Sequence, residues 1–219
     1  LQDGFYFRVG GGISPLGTQY TQTEEVWQRF KYVAGGGMGY YWERIPRSDM
    51  ATHIGIGLQG DYAGYVVREG VTPDPYWRVG GNLDAHLFQP LSSDATTRVN
   101  VSSPIFAVMA ILMPLFAGKR QGRAGGIEYG TFDEDKYVSL VRYGLAALGD
   151  VRVSYGRLKP EDVGASRDLP ASFTDLQFDI LKLGIEFNGL EVALKSDVNL
   201  RFPRDAFRTE FHWAMATVT

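Results

Sequence analysis

Apolar and polar residues alternate along much of this chain with a period of two, and the clearest case is residues 190–202. Leu190, Val192 and Leu194 alternate there with Glu191 and Lys195, and the pattern continues to Phe202. A period of two places successive side chains on opposite faces of a β-strand. The run is much longer than the ~5–6 residues of an average globular strand. Asn188-Gly189 stands just before it and predicts a type I′ turn, so residues 175–202 are predicted to form one hairpin.

The same alternation predicts about ten strands over the whole chain. They lie near 5–13, 29–43, 52–66, 76–88, 98–117, 137–148, 151–158, 174–187 and 190–202, with a tenth strand carrying Phe207 to Met215. A phase slip at Ile180-Leu181 predicts a β-bulge. The longest polar stretches, 14–28, 119–136 and 159–173, are predicted as loops and fall in alternate connections.

Strands with one apolar and one charged face, joined by alternately short and long connections, are typical of transmembrane β-barrels. We therefore expect an all-β fold, an antiparallel up-and-down transmembrane barrel of about ten strands (between roughly eight and twelve), formed by residues 1–219 as a single domain. A soluble lipocalin-like barrel is the rival, because its strands alternate too but turn the apolar face inward. Aromatic residues near the strand ends favour the membrane: Phe30, Tyr40, Trp42, Trp77, Phe187, Phe202, Phe207 and Trp213.

The longest apolar run, Pro104 to Gly118, is shorter than the ~18 residues of a membrane helix, and Pro104 and Pro114 bracket its core. We interpret it as part of the fifth strand, apolar on both faces. Its inner face would line an apolar hollow or meet a plug, or its outer face would meet another envelope protein.

Composition excludes several classes of function. The net charge of −3 gives no basic face for nucleic acid. The chain has no cysteine, so it has neither disulfides nor thiolate metal sites. Gly35-Gly36-Gly37-Met38-Gly39 precedes no predicted helix, so it is not a nucleotide fingerprint, and we expect no cofactor.

The segment Asp3 to Gly12, DGFYFRVGGG, resembles the opening strand of small Gram-negative outer-membrane β-barrel proteins. The resemblance in pattern extends over the whole chain and implies an outer-membrane location, with the lipid bilayer as the main partner. Such proteins commonly end on an aromatic residue, whereas this chain ends Ala216-Thr217-Val218-Thr219.

If the polar faces line the lumen, they bring a dense set of mixed charges together. The candidate lumen charge network is Arg8, Arg78, Asp84, His86, Arg142, Glu191, Lys195, Asp197, Arg201, Arg208, Glu210 and His212. Paired charges of this kind would close the barrel and fix its register, because an unpaired buried charge costs several kcal/mol. A second interpretation starts from inward glycines such as Gly37 and Gly57, which could leave a hollow for an acyl chain unless facing side chains fill it.

Two carboxylate–histidine pairs share a face, Asp84 with His86 and Glu210 with His212. A lipid deacylase or phospholipase would need a serine nucleophile beside such a pair. Ser139 and Ser196 fall on apolar faces and Ser154 falls inward, so we assign no catalytic residue. No ligand spacing among His53, His86 and His212 predicts a metal.

These observations predict an outer-membrane barrel that acts as a structural or assembly component of an envelope complex, or as a narrow pore. Other envelope proteins would dock on the apolar strand near Pro104–Gly118. The alternatives are an outer-membrane lipid-modifying enzyme of deacylase or acyltransferase type and a soluble lipocalin-like binder of an apolar ligand.

Overall fold

The computed structural model describes residues 2–20, 25–44, 50–67, 75–117, 123–124, 127–128, 142–158, 170–203 and 209–219. Within them lie β1 (Gln2–Tyr20), β2 (Glu25–Arg44), β3 (Ala51–Val67), β4 (Tyr76–Pro90), β5 (Thr97–Ser102), α1 (Pro104–Ala117), β6 (Arg123–Ala124), β7 (Ile127–Glu128), β8 (Gly149–Arg157), β9 (Ser172–Phe187), β10 (Leu190–Phe202) and β11 (Thr209–Val218). None of the described helices is both long and apolar enough to cross a membrane.

Eight of these strands close into an antiparallel barrel. Their order is β1-β2-β3-β4-β8-β9-β10-β11, and β11 pairs back onto β1. The all-β antiparallel barrel is therefore confirmed, whereas the expected count of ten strands is not. β5 is an additional short strand, and β6 and β7 form a separate two-stranded ladder.

β5 and β8 together fill one position of the wall, between β4 and β9. Residues 77–85 of β4 pair with β8, whereas residues 87–90 pair with β5. On the other side, residues 172–178 of β9 pair with β8 and residues 182–187 pair with β5. Where the two half-strands meet, the backbone N–H of Ser103 donates to the carbonyl of Ala147 at 2.6 Å. We call this junction the seam.

The predicted fifth strand, 98–117, is wrong beyond Ser102, because α1 begins at Pro104. Ser103 caps this helix, since its Oγ accepts from the N–H of Ile105 at 3.2 Å, and Pro104 occupies the first helical position. Residues 142–146 are helical as well, which contradicts part of the predicted strand 137–148, and residues 137–141 lie outside the described residues. A run that is apolar on every side has no periodicity that separates strand from helix.

The predicted loop at 14–28 is also largely wrong. β1 continues to Tyr20 and β2 begins at Glu25, and the two remain paired to their ends, with residues 21–24 outside the described ranges. The sequence of 14–28 shows no period-two alternation, so the pattern does not indicate the backbone ladder that continues there. In the predicted loop 119–136, residues 123–124 and 127–128 form the small ladder. In the third predicted loop, 159–173, residues 159–169 lie outside the described ranges, and Phe173 belongs to β9.

Two local predictions in the β9–β10 hairpin are confirmed. Asn188 and Gly189 have φ values of 50° and 83°, the left-handed conformation that the tight turn requires. The register shifts where Leu181 pairs with Ser196 and Asp179 pairs with Asp197, so Ile180 is the extra residue of a β-bulge.

Apolar side chains of the barrel strands point outward, and charged side chains point into the lumen. Along β1, Phe5, Phe7 and Val9 are each about 80% exposed, whereas the intervening Tyr6 and Arg8 are half-buried. The buried polar set includes Asp61, Arg78, Asp175, Asp197, Arg201, Glu210 and His212. The usual distribution of a water-soluble protein is thus inverted.

Candidate functional site: the interior of the barrel

Most of the predicted lumen charge network lies inside the barrel. The buried or half-buried members are Arg8, Arg78, Asp84, His86, Glu191, Lys195, Asp197, Arg201, Glu210 and His212. Arg142 differs from the expectation, because it is exposed on the short helical segment 142–146 outside the strand ladder. Arg208 lies outside the described residues. The charges inside the barrel fall into three groups along its axis.

The first group is built on Asp61 and Asp175, two carboxylates without solvent exposure. Register places Asp61 opposite Arg78 on β3 and β4, and Asp175 opposite Arg201 on β9 and β10. Arg78 donates to both carboxylates, at 2.9 Å from Nε to Asp61 Oδ1 and 3.1 Å from Nη1 to Asp175 Oδ2. Arg152 also donates to Asp61. Because Arg78 bridges β3 and β9, the group ties non-neighbouring strands across the lumen.

Arg201 connects this group to an apolar cluster at the adjoining end of the barrel. Its Nη2 donates to Tyr76 Oη at 2.6 Å, and its guanidinium carbon lies 4.3 Å from the centroid of the Phe173 ring. Tyr76 and Phe173 pack with Ala63 and Leu158, all of them buried. The aromatic faces and the hydroxyl satisfy the part of the guanidinium that Asp175 does not reach.

The second group joins β2, β9, β10 and β11. Lys31 Nζ lies 3.0 Å from Glu210 Oε2, and His212 Nδ1 lies 2.5 Å from Asp197 Oδ1. Lys195 Nζ lies 3.4 Å from Asp197 and 3.1 Å from Asp179. Each of these charges therefore has an opposite charge within reach, which reduces the cost of burying it.

A small cavity of about 110 Å³ lies beside these groups. Its polar lining includes Arg8, Gln59, Asp150, Asp179, Lys182 and Lys195. One oxygen each of Asp150 and Asp179 is buried there without a hydrogen-bond partner. The volume suits a few ordered water molecules that would satisfy these oxygens.

The third group lies toward the end of the barrel that carries the Asn188-Gly189 turn. β3 places His53 opposite His86 of β4, and β2 places Glu43 opposite His53. The two imidazoles stack with ring centroids 4.4 Å apart, and His53 Nδ1 lies 3.2 Å from Glu43 Oε1. Asp84, two residues before His86 on the same face, has its Oδ1 3.6 Å from His86 Nδ1. Neither ring nitrogen of His86 has a hydrogen-bond partner.

Among the residues that the structure describes, no serine hydroxyl is hydrogen-bonded to a ring nitrogen of His86, so no assembled hydrolase triad is present there. Ser154 is buried and inward, but it pairs with Gly80 of β4. Six residues separate Gly80 from His86 along that strand, roughly 20 Å at a strand's rise. Ser196 donates instead to the carbonyl of Trp213, and Ser139 lies outside the described residues.

Two of the inward glycines, Gly39 and Gly57, are covered by a tyrosine, whereas Gly10 and Gly35 line the small cavity. A Cβ at Gly57 would lie 2.4 Å from Tyr6 Oη, and one at Gly39 would lie 2.6 Å from it. The ring of Tyr6, from β1, therefore needs both glycines in order to lie against β2 and β3. The apolar residues expected to complete a hollow, such as Phe106 and Val108, are exposed on α1. Gly39 and Gly57 thus accommodate a side chain of the barrel itself.

The residue that the sequence-based network missed most clearly is Asp175. It accepts hydrogen bonds from Arg78, Asn199 and Arg201. Asp175 and Asp179 stand an even number of positions apart and both precede the bulge at Ile180, so alternation predicts that they share a face of the strand. This spacing was the signal in the sequence. Asp61 and Arg152 also lie at the centre of the network, and the alternation of their strands does predict that they point inward.

The fold and its interior define a closed antiparallel β-barrel whose lumen is filled by paired charges. No protein-family model, no curated protein and no solved structure matches the chain. Function must therefore be inferred from the wall of the barrel and the side chains inside it.

Proposed function

We propose that this chain is an outer-membrane β-barrel of a Gram-negative bacterium, with its apolar wall in the bilayer and a closed lumen. Its role is that of a structural or assembly component of the envelope. The observation that carries the proposal is the combination of an apolar outer wall with an ion-paired interior. A barrel dissolved in water would gain from the opposite arrangement.

The dimensions of the wall fit a bilayer. On β1 the outward residues run from Phe5 to Ile13, and on β10 Val192 and Leu194 are more than half exposed. The eight steps from Phe5 to Ile13, at ~3.3 Å each, span about 26 Å along the strand, or ~20 Å of height at a tilt of ~40°. This approaches the ~25 Å apolar band of outer-membrane barrels.

Aromatic side chains gather toward both ends of the wall. Near the starts of β1 and β3, Tyr40 contacts Phe5 and Trp42 with ring centroids 5.1 Å apart in each pair. Near the other end, the rings of Tyr62 and Trp77 lie 4.9 Å apart. Amphipathic rings at two levels are typical of the interfaces between lipid and water.

The closed lumen favours a structural role over an open channel. Arg78 links Asp61 to Asp175 across the lumen, and the described cavity beside the network holds about 110 Å³. Conduction of solutes requires a continuous aqueous path. A narrow pore would therefore need the network to rearrange.

Helix α1 gives this barrel a surface for the surrounding lipid or for another envelope protein. Ile105, Val108 and Met109 are each more than half exposed on it, and its sequence contains no charge. A helix satisfies its own backbone hydrogen bonds, so it tolerates an environment without water. The docking segment proposed from the sequence as a strand is thus an apolar helix.

Single cysteines on β10 test the sidedness, since the native chain has none. In vesicles, cysteines at Val192 and Leu194 should react with a lipid-soluble maleimide, and cysteines at Glu191 and Lys195 should be shielded. The matched positions share one strand and one depth, so only the face differs. The reverse labelling would mean that the apolar face is not in lipid, and it would sink the proposal.

Neither alternative function has a specific observation in its favour. A lipocalin-like binder of an apolar ligand would need an apolar interior, whereas this interior is charged. A lipid-modifying enzyme would need a nucleophile engaged with His86, and within the described residues no serine hydroxyl is hydrogen-bonded to that histidine. Comparison of envelope lipids by mass spectrometry, with and without His86→Ala, tests the enzyme directly, and we expect no change in acyl pattern.

A further inference from the structure

We propose that His53, Asp84 and His86 form a binding site for a divalent transition-metal ion such as Zn²⁺ inside the barrel. The three side chains offer two imidazole nitrogens and one carboxylate oxygen that lie within 4.8 Å of one another. This inference does not depend on the membrane proposal, because the same side chains meet whatever solvent surrounds the wall. Sequence spacing predicted no metal, since the histidines belong to different strands.

The strand register supplies the geometry. His53 and His86 are directly paired on β3 and β4, and Asp84 precedes His86 by two residues on the same face. Three ligands from two adjacent strands thus form a triangle on one face of a rigid sheet. A tetrahedral Zn²⁺ with ~2.0–2.1 Å bonds holds its ligand atoms roughly 3.3 Å apart. The ligand atoms now lie up to 4.8 Å apart and the two rings stack 13° from parallel, so metal binding requires the imidazoles to rotate about their side-chain bonds.

His86 is the observation that points to a ligand. His86 is only 4% exposed, yet both of its ring nitrogens lack a hydrogen-bond partner. Asp84 Oδ1 lacks one as well. A buried polar atom without a partner costs about 1–3 kcal/mol. The other buried histidine, His212, has Asp197 at hydrogen-bond distance. A metal ion would satisfy the unpaired nitrogen and the unpaired oxygen together.

Glu43 supplies the support that metal-bound histidines require. Its carboxylate contacts Nδ1 of His53, which leaves Nε2 of that ring as the metal ligand. Arg98 holds Glu43 in place at 2.7 Å, so the orientation of the ring is fixed from behind. A carboxylate on the far nitrogen raises the basicity of a histidine ligand.

The charge around the two rings also favours a cation. In the connected ion pairs of this part of the described chain, carboxylates outnumber basic side chains: Glu43, Asp84, Glu186 and Glu191 against Arg8, Arg98 and Lys182. Two imidazoles and one carboxylate suit Zn²⁺, Ni²⁺ or Cu²⁺, whereas Ca²⁺ and Mg²⁺ prefer sites made of oxygen ligands. Three protein ligands leave a fourth position for water.

Metal titration of the purified full chain tests the site. After treatment with EDTA, the protein is titrated with Zn²⁺ in competition with a chromophoric chelator, and separately with Co²⁺ while the visible spectrum is recorded. We expect one ion per chain and the strong visible absorption of four-coordinate Co²⁺. Asp84→Asn and His86→Ala should each weaken Zn²⁺ binding at least tenfold, and His212→Gln, the matched buried-histidine control, should leave it unchanged.

A fourth variant keeps the test decisive if removal of a ligand prevents folding. Glu43→Gln leaves all three ligands in place and should weaken Zn²⁺ binding by about 10–100-fold, as losses of such supporting carboxylates do. Compact, heat-modifiable migration in electrophoresis identifies the folded variants. Absence of Zn²⁺ binding at micromolar concentration in the wild type would overturn the proposal. Binding that survives in the folded ligand variants, or that is lost equally in His212→Gln, would overturn it too.

Discussion

Replacement of Asp175 by asparagine should destabilise the barrel strongly, because it removes a buried charge on which two guanidinium groups converge. Asp175 has no solvent exposure and lies 2.7 Å from Arg201 Nε and 3.1 Å from Arg78 Nη1. Asparagine has nearly the same shape, so the change alters charge with little change in packing. Both arginines would then remain buried with less opposite charge around them.

The size of the stability loss depends on which partners Arg78 and Arg201 retain when Asp175 is replaced. Loss of one partner from a buried ion pair costs about 3–5 kcal/mol. Arg78 retains Asp61, and Arg201 retains the Tyr76 hydroxyl and Glu210 at 3.9 Å. These remaining partners place Asp175→Asn near the lower bound, at about 3 kcal/mol of lost unfolding free energy.

Asp3→Asn provides a matched control with the same chemistry in a different environment. Asp3 pairs with Arg44, but their side chains are 34% and 39% exposed. An exposed pair contributes about 0–1 kcal/mol. Denaturant-induced unfolding of both variants, measured in the same detergent or vesicles, should therefore give a difference of at least about 2 kcal/mol between them.

Equal losses for the buried and the exposed aspartate would refute the idea that the lumen network stabilises the barrel. A double variant adds a sharper criterion. In Asp175→Leu with Arg201→Met, both members of a pair are replaced by apolar side chains, and such replacements are often close to neutral. The double variant should therefore be more stable than Asp175→Asn, although Arg78 still loses one of its partners.

Three further outcomes are expected. Planar-bilayer recordings of the purified protein should show no large, stable channels, and such channels would contradict the closed lumen. Ile105→Lys on α1 should lower insertion into vesicles, whereas Leu91→Lys in the β4–β5 turn, where the leucine is similarly exposed, should have little effect. The Ser92 hydroxyl, then the N–H and hydroxyl of Thr96, lower the pKa of Asp94 from 3.8 to about 2. These hydrogen bonds should stabilise the turn above pH ~4 and weaken as the pH falls through about 2. An NMR titration of the Asp94 carboxyl group measures its pKa, and a midpoint near 3.8 would contradict this prediction.

Features that depend on residues close together in the chain could be predicted from the sequence. The Asn188-Gly189 turn and the bulge at Ile180 each leave a local signature, in a dipeptide or in a shift of phase. The inward parity of Arg201 follows from alternation along β10, and that of Glu210 from alternation along β11. Period-two patterns carry such information because successive side chains point to opposite faces of a sheet wherever no bulge interrupts the strand.

Features that depend on which strands become neighbours could not be predicted. His53 meets His86 only because β3 and β4 pair in one register, and Arg78 reaches Asp175 only because the barrel closes. The helix at 104–117 was missed for a different reason. Its residues are apolar on every side, so the hydrophobic pattern has no period, and the Ser103-Pro104 cap was the one usable signal.

The seam is a break within the wall of the barrel, where the half-strands β5 and β8 meet. The chain leaves the wall at Ser103 and returns at Ala147, and a single 2.6 Å hydrogen bond joins the two points. The two ends of the excursion are carried by strands β5 and β8, and both strands pair with β4 and β9. An exchange of the excursion that keeps the packing of Ala146 and Tyr143 against Leu87 and Val101 should therefore leave the eight-stranded cylinder unchanged. Most barrels diversify through loops at their water-exposed rims, whereas this one offers an insertion point in the side of the wall.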